Sequence, residues 1–211
     1  MILVFDLDGT LVDSAPDIRA AVNRMLAGLE QGPMDLPTII GFVGNGMPKL
    51  VERVMAARGI DPGRHGDLTQ VTLDHYAAAP SALTRPYPGA PQALAALEAA
   101  GHRLAVCTNK PEAPARAILA DLGLARHFPV VVGGDSLPVR KPDPAPALAC
   151  VEAHGGGAAA FVGDSEVDAE TAAAAGLPFY LFTRGYRKSP VEALPHRASF
   201  SDFAELPGLI G

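Results

Sequence analysis

Met1-Ile2-Leu3-Val4-Phe5-Asp6-Leu7-Asp8-Gly9-Thr10 starts with an apolar run and stops at two carboxylates and a glycine. The run is rich in β-formers and has no polar alternation, which is typical of a strand buried on both faces of a sheet. Open α/β sheets bind their ligands at the carboxyl ends of such strands. Asp6 and Asp8 lie at that end, and two carboxylates so close together need a cation, a lysine or a proton. Taken alone, Asp8-Gly9 also fits a simple turn.

The composition is that of a globular protein. A chain of 211 residues with 48% hydrophobic and 19% charged residues suits one domain, or a domain with a subdomain. The net charge of −6 and the absence of a Lys/Arg cluster argue against a nucleic-acid partner, but a small phosphate ester needs only one or two local cations. Cys107 and Cys150 lie in apolar segments, so we expect buried free thiols. Without a cationic leader or a membrane-length apolar run, we expect a cytoplasmic monomer or homodimer with no membrane contact.

Residues 14–83 are predicted to be helical, with no strand. Ser14-Ala15-Pro16-Asp17 carries start signals, with Ser14 as the cap and Pro16 in the first turn. Apolar residues then recur at helical spacing, and further helices are expected at about 36–42, 48–58 and 67–79.

From Tyr87 onward, strands and helices alternate. Strands are expected at 103–107, 128–132, 158–162 and 178–182, and the last ~25 residues as loop and a short helix. Such alternation with short connections predicts a parallel sheet. The predicted fold class is α/β: a Rossmann-like doubly wound core of residues 1–13 and 84–211, with an α-helical cap subdomain of residues 14–83 inserted after the first strand.

Polar groups follow three more of the predicted strands. Thr108 offers a hydroxyl, and Asn109 a turn whose backbone N–H can face an anion. Lys141 precedes a proline, which keeps it out of helical geometry. Asp164 precedes a helix, and Asp168 lies about one turn further on. Singly, each fits a turn, a solvated loop or an N-cap. Four such strand ends arising by accident is improbable, so the pattern indicates phosphate chemistry.

These motifs resemble the haloacid-dehalogenase superfamily of phosphotransferases in order and spacing, over essentially the whole chain. The matching stretches are Asp6-Leu7-Asp8-Gly9-Thr10, Thr108-Asn109-Lys110, Lys141-Pro142-Asp143-Pro144, and Gly163-Asp164-Ser165 with Asp168. Within the superfamily the chain is similar to the phosphoglycolate phosphatase-like subgroup with a helical cap. That similarity rests on Gly41-Phe42-Val43-Gly44-Asn45-Gly46 and Arg85-Pro86-Tyr87-Pro88-Gly89.

The resemblance implies a phosphomonoester hydrolase that works through an aspartyl-phosphate. Asp6 would be the nucleophile, and Asp8 would protonate the leaving alcohol and then deprotonate water. Members that act as dehalogenases or phosphonatases lack an aspartate at the position of Asp8, which disfavours those reactions here. Relatives that act as β-phosphoglucomutases use a histidine in the first cap helix. No histidine lies between Asp13 and Leu29, which disfavours a mutase without excluding it.

The resemblance also implies a Mg²⁺ cofactor. The ligands would be Asp6, the backbone carbonyl of Asp8 and Asp164. Asp168 would hold metal-bound water or Lys141. The phosphate contacts that the resemblance implies are made by three residues. Thr108 and the Asn109 backbone would bind the phosphoryl oxygens, and Lys141 would lie between nucleophile and phosphate.

The favoured substrate is the small ester 2-phosphoglycolate. The turn Gly44-Asn45-Gly46 would offer backbone donors to its carboxylate, with Lys49 nearby, although the turn fits a plain helix–helix connection equally well. Pyrophosphate, a sugar phosphate or a nucleotide monophosphate are the alternatives. Two alternatives involve no catalytic turnover: a phospho-acceptor switch, and a regulatory protein that keeps the fold of an enzyme but not its activity. The basic loop 184–188 is expected to be solvated surface, and a position near the site is the alternative.

Overall fold

The structure is a computed structural model and describes residues 1–211. The strands are β1 (Ile2–Phe5), β2 (Val12–Asp13), β3 (Arg85–Pro86), β4 (Arg103–Cys107), β5 (Val130–Val132), β6 (Ala159–Gly163), β7 (Phe179–Phe182) and β8 (Ala198–Phe200). Six of them form a parallel sheet in the order β5-β4-β1-β6-β7-β8. The first strand therefore lies at the centre of the sheet, as its apolar sequence predicts.

The helices divide into a run between β2 and β3 and a set that alternates with the strands. They are α1 (Ala15–Ala27), α2 (Leu36–Phe42), α3 (Met47–Arg58), α4 (His65–Ala77), α5 (Ala90–Ala99), α6 (Glu112–Asp121), α7 (Ala145–Ala153), α8 (Glu166–Ala174) and α9 (Leu206–Ile210). We call residues 14–83, which contain α1 to α4, the helical block. Within it α4 packs against α1 and α3.

Packing on the two faces of the sheet follows the alternation of β1. Leu3 and Phe5 belong to one hydrophobic cluster, and Ile2 and Val4 belong to another on the opposite face. The cluster of Leu3 and Phe5 continues into the apolar faces of the helical block, including Val22. The predicted doubly wound α/β fold is confirmed, because helices cover both faces of a wholly parallel sheet.

Two short pairings were not predicted. β2 and β3 form an antiparallel pair, Val12 with Pro86 and Asp13 with Arg85, where the chain enters and leaves the helical block. β8 adds a sixth strand from a tail expected to be loop. β2 and β3 have two residues each, too few to show a period-2 pattern, and Ala198-Ser199-Phe200 lacks the apolar run that marks the predicted strands of the sheet. Cys107 and Cys150 are buried and free, as expected. None of the helices has the length and apolarity to cross a bilayer.

Candidate active site

The carboxyl ends of the three central strands bring the predicted residues together. Asp6 follows β1, Thr108 follows β4 and Asp164 follows β6, and these strands are adjacent in the sheet. A cavity of about 80 Å³ lies over this edge. Its walls include Asp6, Asp8 and Thr108 from the sheet, and Ile18, Leu50 and Tyr76 from the helical block. The site therefore lies between the sheet and the inserted helices.

Lys141 joins two buried carboxylates at this edge. Its ammonium donates a hydrogen bond to Asp168 Oδ1 at 2.7 Å and forms an ion pair with Asp6 Oδ1 at 2.9 Å, outside hydrogen-bond geometry. Burial raises the pKa of Asp6 to about 7 although Lys141 lowers it, and Asp168 adds to the rise. The other Asp168 oxygen accepts from Ser165 Oγ at 2.7 Å and from the N–H groups of Asp164 and Ser165. Asp168 therefore holds Lys141 and the start of α8 in place.

Asp164 is held from two sides. Thr10 Oγ1 donates to Asp164 Oδ1 at 2.7 Å, and the backbone N–H of Tyr186 donates to Asp164 Oδ2 at 2.6 Å. Gly9 has a φ of +89°, and a Cβ there would lie 2.5 Å from Asp164 Oδ2, so only glycine fits. Burial, together with the carboxylates of Asp168 and Asp6, raises the pKa of Asp164 well above its ordinary range.

The acidic cluster fits a hard divalent cation. Carboxylate oxygens of Asp6, Asp164 and Asp168 lie within 4.8 Å of one another. Asp6 Oδ1 is buried and accepts no hydrogen bond, so it retains a lone pair for a metal ion. Oxygen donors of this kind are those that Mg²⁺ and similar cations prefer. Asp168 is the least suited to be a ligand, because one of its oxygens is paired with the Lys141 ammonium and the other accepts three hydrogen bonds, whereas each Asp164 oxygen accepts one.

Asp8 lies beside Asp6 and has two partners that the sequence did not reveal. Ser14 Oγ donates to Asp8 Oδ1 at 2.5 Å. The prediction that Ser14 caps α1 through its side chain is therefore wrong, because its hydroxyl is used by Asp8. The ammonium of Lys110 lies 2.8 Å from each Asp8 oxygen. The stretch Thr108-Asn109-Lys110 contains this lysine, and a cation at a strand end is the sequence signal that identifies it.

Thr108 and Asn109 lie at the end of β4 with free donors. The Thr108 hydroxyl oxygen accepts from the N–H of Lys110 at 3.2 Å, which leaves its O–H free to donate. The backbone N–H of Asn109 donates to no protein group. The Asn109 side-chain amide donates to the carbonyl oxygens of Lys141 at 3.0 Å and Gly44 at 3.2 Å. Asn109 therefore ties the sheet edge to the helical block.

The turn of the helical block that was expected to meet substrate reaches the site only in part. Gly44 and Gly46 line the cavity, and Asn45 lines a smaller adjoining one of about 30 Å³. Lys49 does not line either cavity: its ammonium is paired with Glu52 at 2.7 Å on an exposed face of α3. The expectation that Lys49 lies near the substrate is wrong, because its ammonium pairs with Glu52 one turn along the same helix.

The basic loop 184–188 lies at the site, contrary to its expected place on the solvated surface. Tyr186 is buried, and its hydroxyl donates to Asp13 Oδ1 at 2.7 Å while accepting from the N–H groups of Ser14 and Ala15. A Cβ at Gly185 would lie 2.3 Å from that of Asp164. The hydroxyl contacts of Tyr186 join residues 171 to 173 positions apart, so no local pattern could have found them.

The chain belongs to the haloacid dehalogenase-like hydrolase family, whose model matches residues 1–176. Two relatives, both phosphoglycolate phosphatases, match nearly the full chain. The one from Cereibacter sphaeroides is 55% identical over 210 residues, covering 99% of this chain and 96% of its own. The one from Rhodobacter capsulatus is 45% identical, covering 99% and 95%.

A solved structure extends the comparison to three dimensions. The crystal structure of a predicted phosphoglycolate phosphatase from Haemophilus somnus has a TM-score of 0.93 and 30% sequence identity, and the match covers 100% of this chain and 97% of that one. The likeness therefore includes the helical block as well as the sheet. Phosphatases of this family are generally metal-dependent, which agrees with the buried acidic cluster.

Proposed function

We propose that this protein is a Mg²⁺-dependent phosphatase that hydrolyses 2-phosphoglycolate to glycolate and phosphate. The observation that carries the proposal is the geometry of Asp6 and Asp8, which share one small cavity with the free donors of Thr108 and Asn109. The near full-length similarity to phosphoglycolate phosphatases supports the choice of substrate. The buried free thiols of the chain fit the reducing cytoplasm.

In the first step, an oxygen of Asp6 attacks phosphorus and the bond between phosphorus and the ester oxygen breaks. Asp8 gives its proton to the leaving oxygen, so that glycolate departs as an alcohol. The two carboxyl groups need different protonation states in this step, and the Lys141 ammonium beside Asp6 favours the ionised form that the nucleophile requires. The product of this step is an aspartyl-phosphate on Asp6.

In the second step, water hydrolyses that acyl phosphate. Asp8, now a carboxylate, takes a proton from the water as its oxygen attacks phosphorus. The bond between phosphorus and the Asp6 oxygen breaks, which releases inorganic phosphate and restores the Asp6 carboxylate. The exchange is balanced, because the proton that Asp8 lost to glycolate returns to it from water.

The charge on the transferring group is met by donors from two segments, the end of β4 and the loop between β5 and α7. The Thr108 hydroxyl and the Asn109 N–H donate to phosphoryl oxygens, and Lys141 lies between nucleophile and phosphate. Asp6, Asp164 and the backbone carbonyl of Asp8 would hold Mg²⁺. When bound, Mg²⁺ supplies further positive charge to the phosphoryl oxygens. Asp168 keeps Lys141 pointing at Asp6.

The helical block acts as a cap over the leaving group in this proposal. The backbone N–H groups of Gly44, Asn45 and Gly46 donate to no protein group, and α3 begins directly after them. A helix N-terminus and free N–H groups favour an anionic substrate. The small cavity favours a leaving group of a few heavy atoms over a sugar or a nucleoside.

The test is inorganic phosphate release with Mg²⁺ from 2-phosphoglycolate, pyrophosphate, sugar phosphates and nucleotide monophosphates. We expect a sharp preference for 2-phosphoglycolate that is lost on chelation. The isosteric variant Asp6→Asn is the matched control, and its activity should fall by at least about 10³-fold because the nucleophile is gone. Broad, weak activity lost in Asp6→Asn would retain the phosphatase and overturn the substrate. No release from any ester by the folded protein would overturn both.

A further inference from the structure

Lys110 is the one cation in the wall of the main cavity. Its side chain is 7% exposed, and its ammonium lies 2.8 Å from both oxygens of Asp8. The rest of the wall away from Asp6 and Asp8 is largely apolar, with Ile18 and Leu50 among its members. An anionic group that enters this cavity beyond the phosphate site therefore has one charged partner available from the protein.

Tyr76 of α4 brings a second polar group to the same place. The Lys110 ammonium lies 4.8 Å from the centroid of the Tyr76 ring, a cation–π contact between the sheet edge and the helical block. The Tyr76 hydroxyl is buried and has no hydrogen-bond partner in the protein. Buried hydroxyls are nearly always hydrogen-bonded, so the O–H of Tyr76 is available to donate to a group bound in the cavity.

The covalent structure of the substrate places its carboxylate next to these groups. In 2-phosphoglycolate the carbon that bears the ester oxygen also bears the carboxylate. Asp8 protonates that ester oxygen in the proposed reaction, so the carboxylate must lie within a few bond lengths of Asp8. Lys110 is the cation in contact with Asp8, whereas Lys49 is held on the exposed face of α3 by Glu52.

We propose that Lys110 and Tyr76 form the subsite for the substrate's carboxylate. This inference rests on the proposed function and adds the residues that select the leaving group. On binding, the Lys110 ammonium exchanges a contact with Asp8 for one with the substrate carboxylate, and the Tyr76 hydroxyl donates to the same carboxylate. The site thereby selects monoesters in which the carbon that bears the ester oxygen also bears a carboxylate.

The experiment compares 2-phosphoglycolate with ethyl phosphate, in which a methyl group replaces the carboxylate. For each enzyme the ratio of the two kcat/KM values is measured with Mg²⁺. We expect Lys110→Met to reduce the wild-type preference for 2-phosphoglycolate by about 30-fold or more, as when one partner of a buried charge pair is removed. Any effect of the substitution on Asp8 itself slows both esters and cancels in the ratio.

Tyr76→Phe removes one oxygen and keeps the ring, so it tests the subsite with little risk to folding. We expect its KM for 2-phosphoglycolate to rise by about fivefold, the loss of one hydrogen bond, with ethyl phosphate unaffected. Tyr180→Phe, a buried tyrosine of β7 outside the cavity, is the control for that change. Arg116→Met removes an equal charge from an exposed helix and controls for Lys110→Met.

The outcomes separate this inference from the proposed function. A wild-type enzyme that prefers 2-phosphoglycolate, with that preference unchanged in Lys110→Met and Tyr76→Phe, overturns the subsite and leaves the phosphatase intact. A wild-type enzyme without any preference over ethyl phosphate overturns the proposed substrate and the subsite together. If Lys110→Met does not fold, Tyr76→Phe decides alone, since unchanged KM values for both esters would contradict the inference.

Discussion

Lys141 determines the charge balance of the site at the scale of single residues. Burial by itself would lower the pKa of Lys141, but the carboxylates of Asp168 and Asp6 outweigh burial and raise it, so the ammonium stays charged. The same balance holds at Lys110, where burial is outweighed by Asp8 and then Tyr76. Each lysine is nearly inaccessible to water and depends on its carboxylate partners for that charge.

Lys141→Met should destabilise the protein strongly, because Asp6 and Asp168 are then left buried without a counter-charge. We expect the free energy of unfolding at neutral pH to fall by about 3 kcal/mol, as when one partner of a buried ion pair is removed. Urea denaturation in the presence of chelator is the measurement. Arg116→Met breaks an exposed pair with Glu112 and should cost less than about 1 kcal/mol. Equal losses in the two variants would contradict this account.

At the scale of elements, the loop after β7 organises the start of α1. The Tyr186 hydroxyl accepts from the N–H groups of Ser14 at 2.9 Å and Ala15 at 3.0 Å. It therefore satisfies backbone donors at the start of α1, the role expected of the Ser14 side chain. Its own proton goes to Asp13 on β2. The same residue's backbone N–H fixes Asp164. One loop residue thus connects the entry to the helical block with the acidic cluster, and it frees Ser14 for Asp8.

Tyr186→Phe tests this connection. Loss of the hydroxyl leaves two buried N–H groups and a carboxylate oxygen short of a partner, so we expect the free energy of unfolding to fall by about 2 kcal/mol. The measurement is urea denaturation, with Tyr180→Phe as the matched control because Tyr180 is a buried tyrosine of β7. A loss in Tyr186→Phe no larger than in Tyr180→Phe would show that α1 does not depend on this loop.

At the scale of the whole molecule, the sheet gathers buried carboxylates that repel one another without a cation. The pKa of Asp6 is raised to about 7 by burial, and the pKa of Asp164 is raised too. Both groups therefore bind protons more tightly in the folded state than in the unfolded chain. Stability from a raised carboxyl pKa is present at low pH and is lost as pH rises from the unfolded value, 3.8 for Asp6, through the folded one.

The metal-free protein should consequently lose stability between about pH 5 and pH 7.5. His102, whose pKa is lowered by burial, changes stability with pH in the opposite direction. The slope of stability against pH in wild type is therefore compared with the slope in Asp6→Asn. We expect that slope to be shallower than in the wild type. Mg²⁺ should restore stability at pH 7.5 because a cation that binds only the folded state stabilises it. Thermal unfolding as a function of pH, with chelator and with Mg²⁺, measures both effects. A free energy of unfolding that rises with pH in the metal-free wild type but not in Asp6→Asn would contradict this account.

Local sequence patterns are enough to predict five strands of the sheet, the order of the main elements along the chain and the strand ends that form the candidate site. Those features follow from local patterns: an apolar run that stops at Asp6 and Asp8, helical spacing in α1, and strand-end groups such as Thr108 and Asp164. A parallel sheet collects the carboxyl ends of its strands at one edge, so knowing the strands is enough to place these residues together.

The hydrogen-bond and ion-pair partners of these strand-end groups follow from the tertiary structure and not from local sequence. Lys110 rather than Lys49 faces the cavity, Ser14 serves Asp8 rather than its own helix, and Tyr186 reaches both α1 and Asp164. The contacts of Lys110 and Tyr186 join segments far apart in the chain, whereas Ser14 and Asp8 are 6 positions apart and meet across the turn between them. Hydrogen bonding and charge pairing between such segments depend on distances of a few tenths of an ångström, which only the packed core fixes.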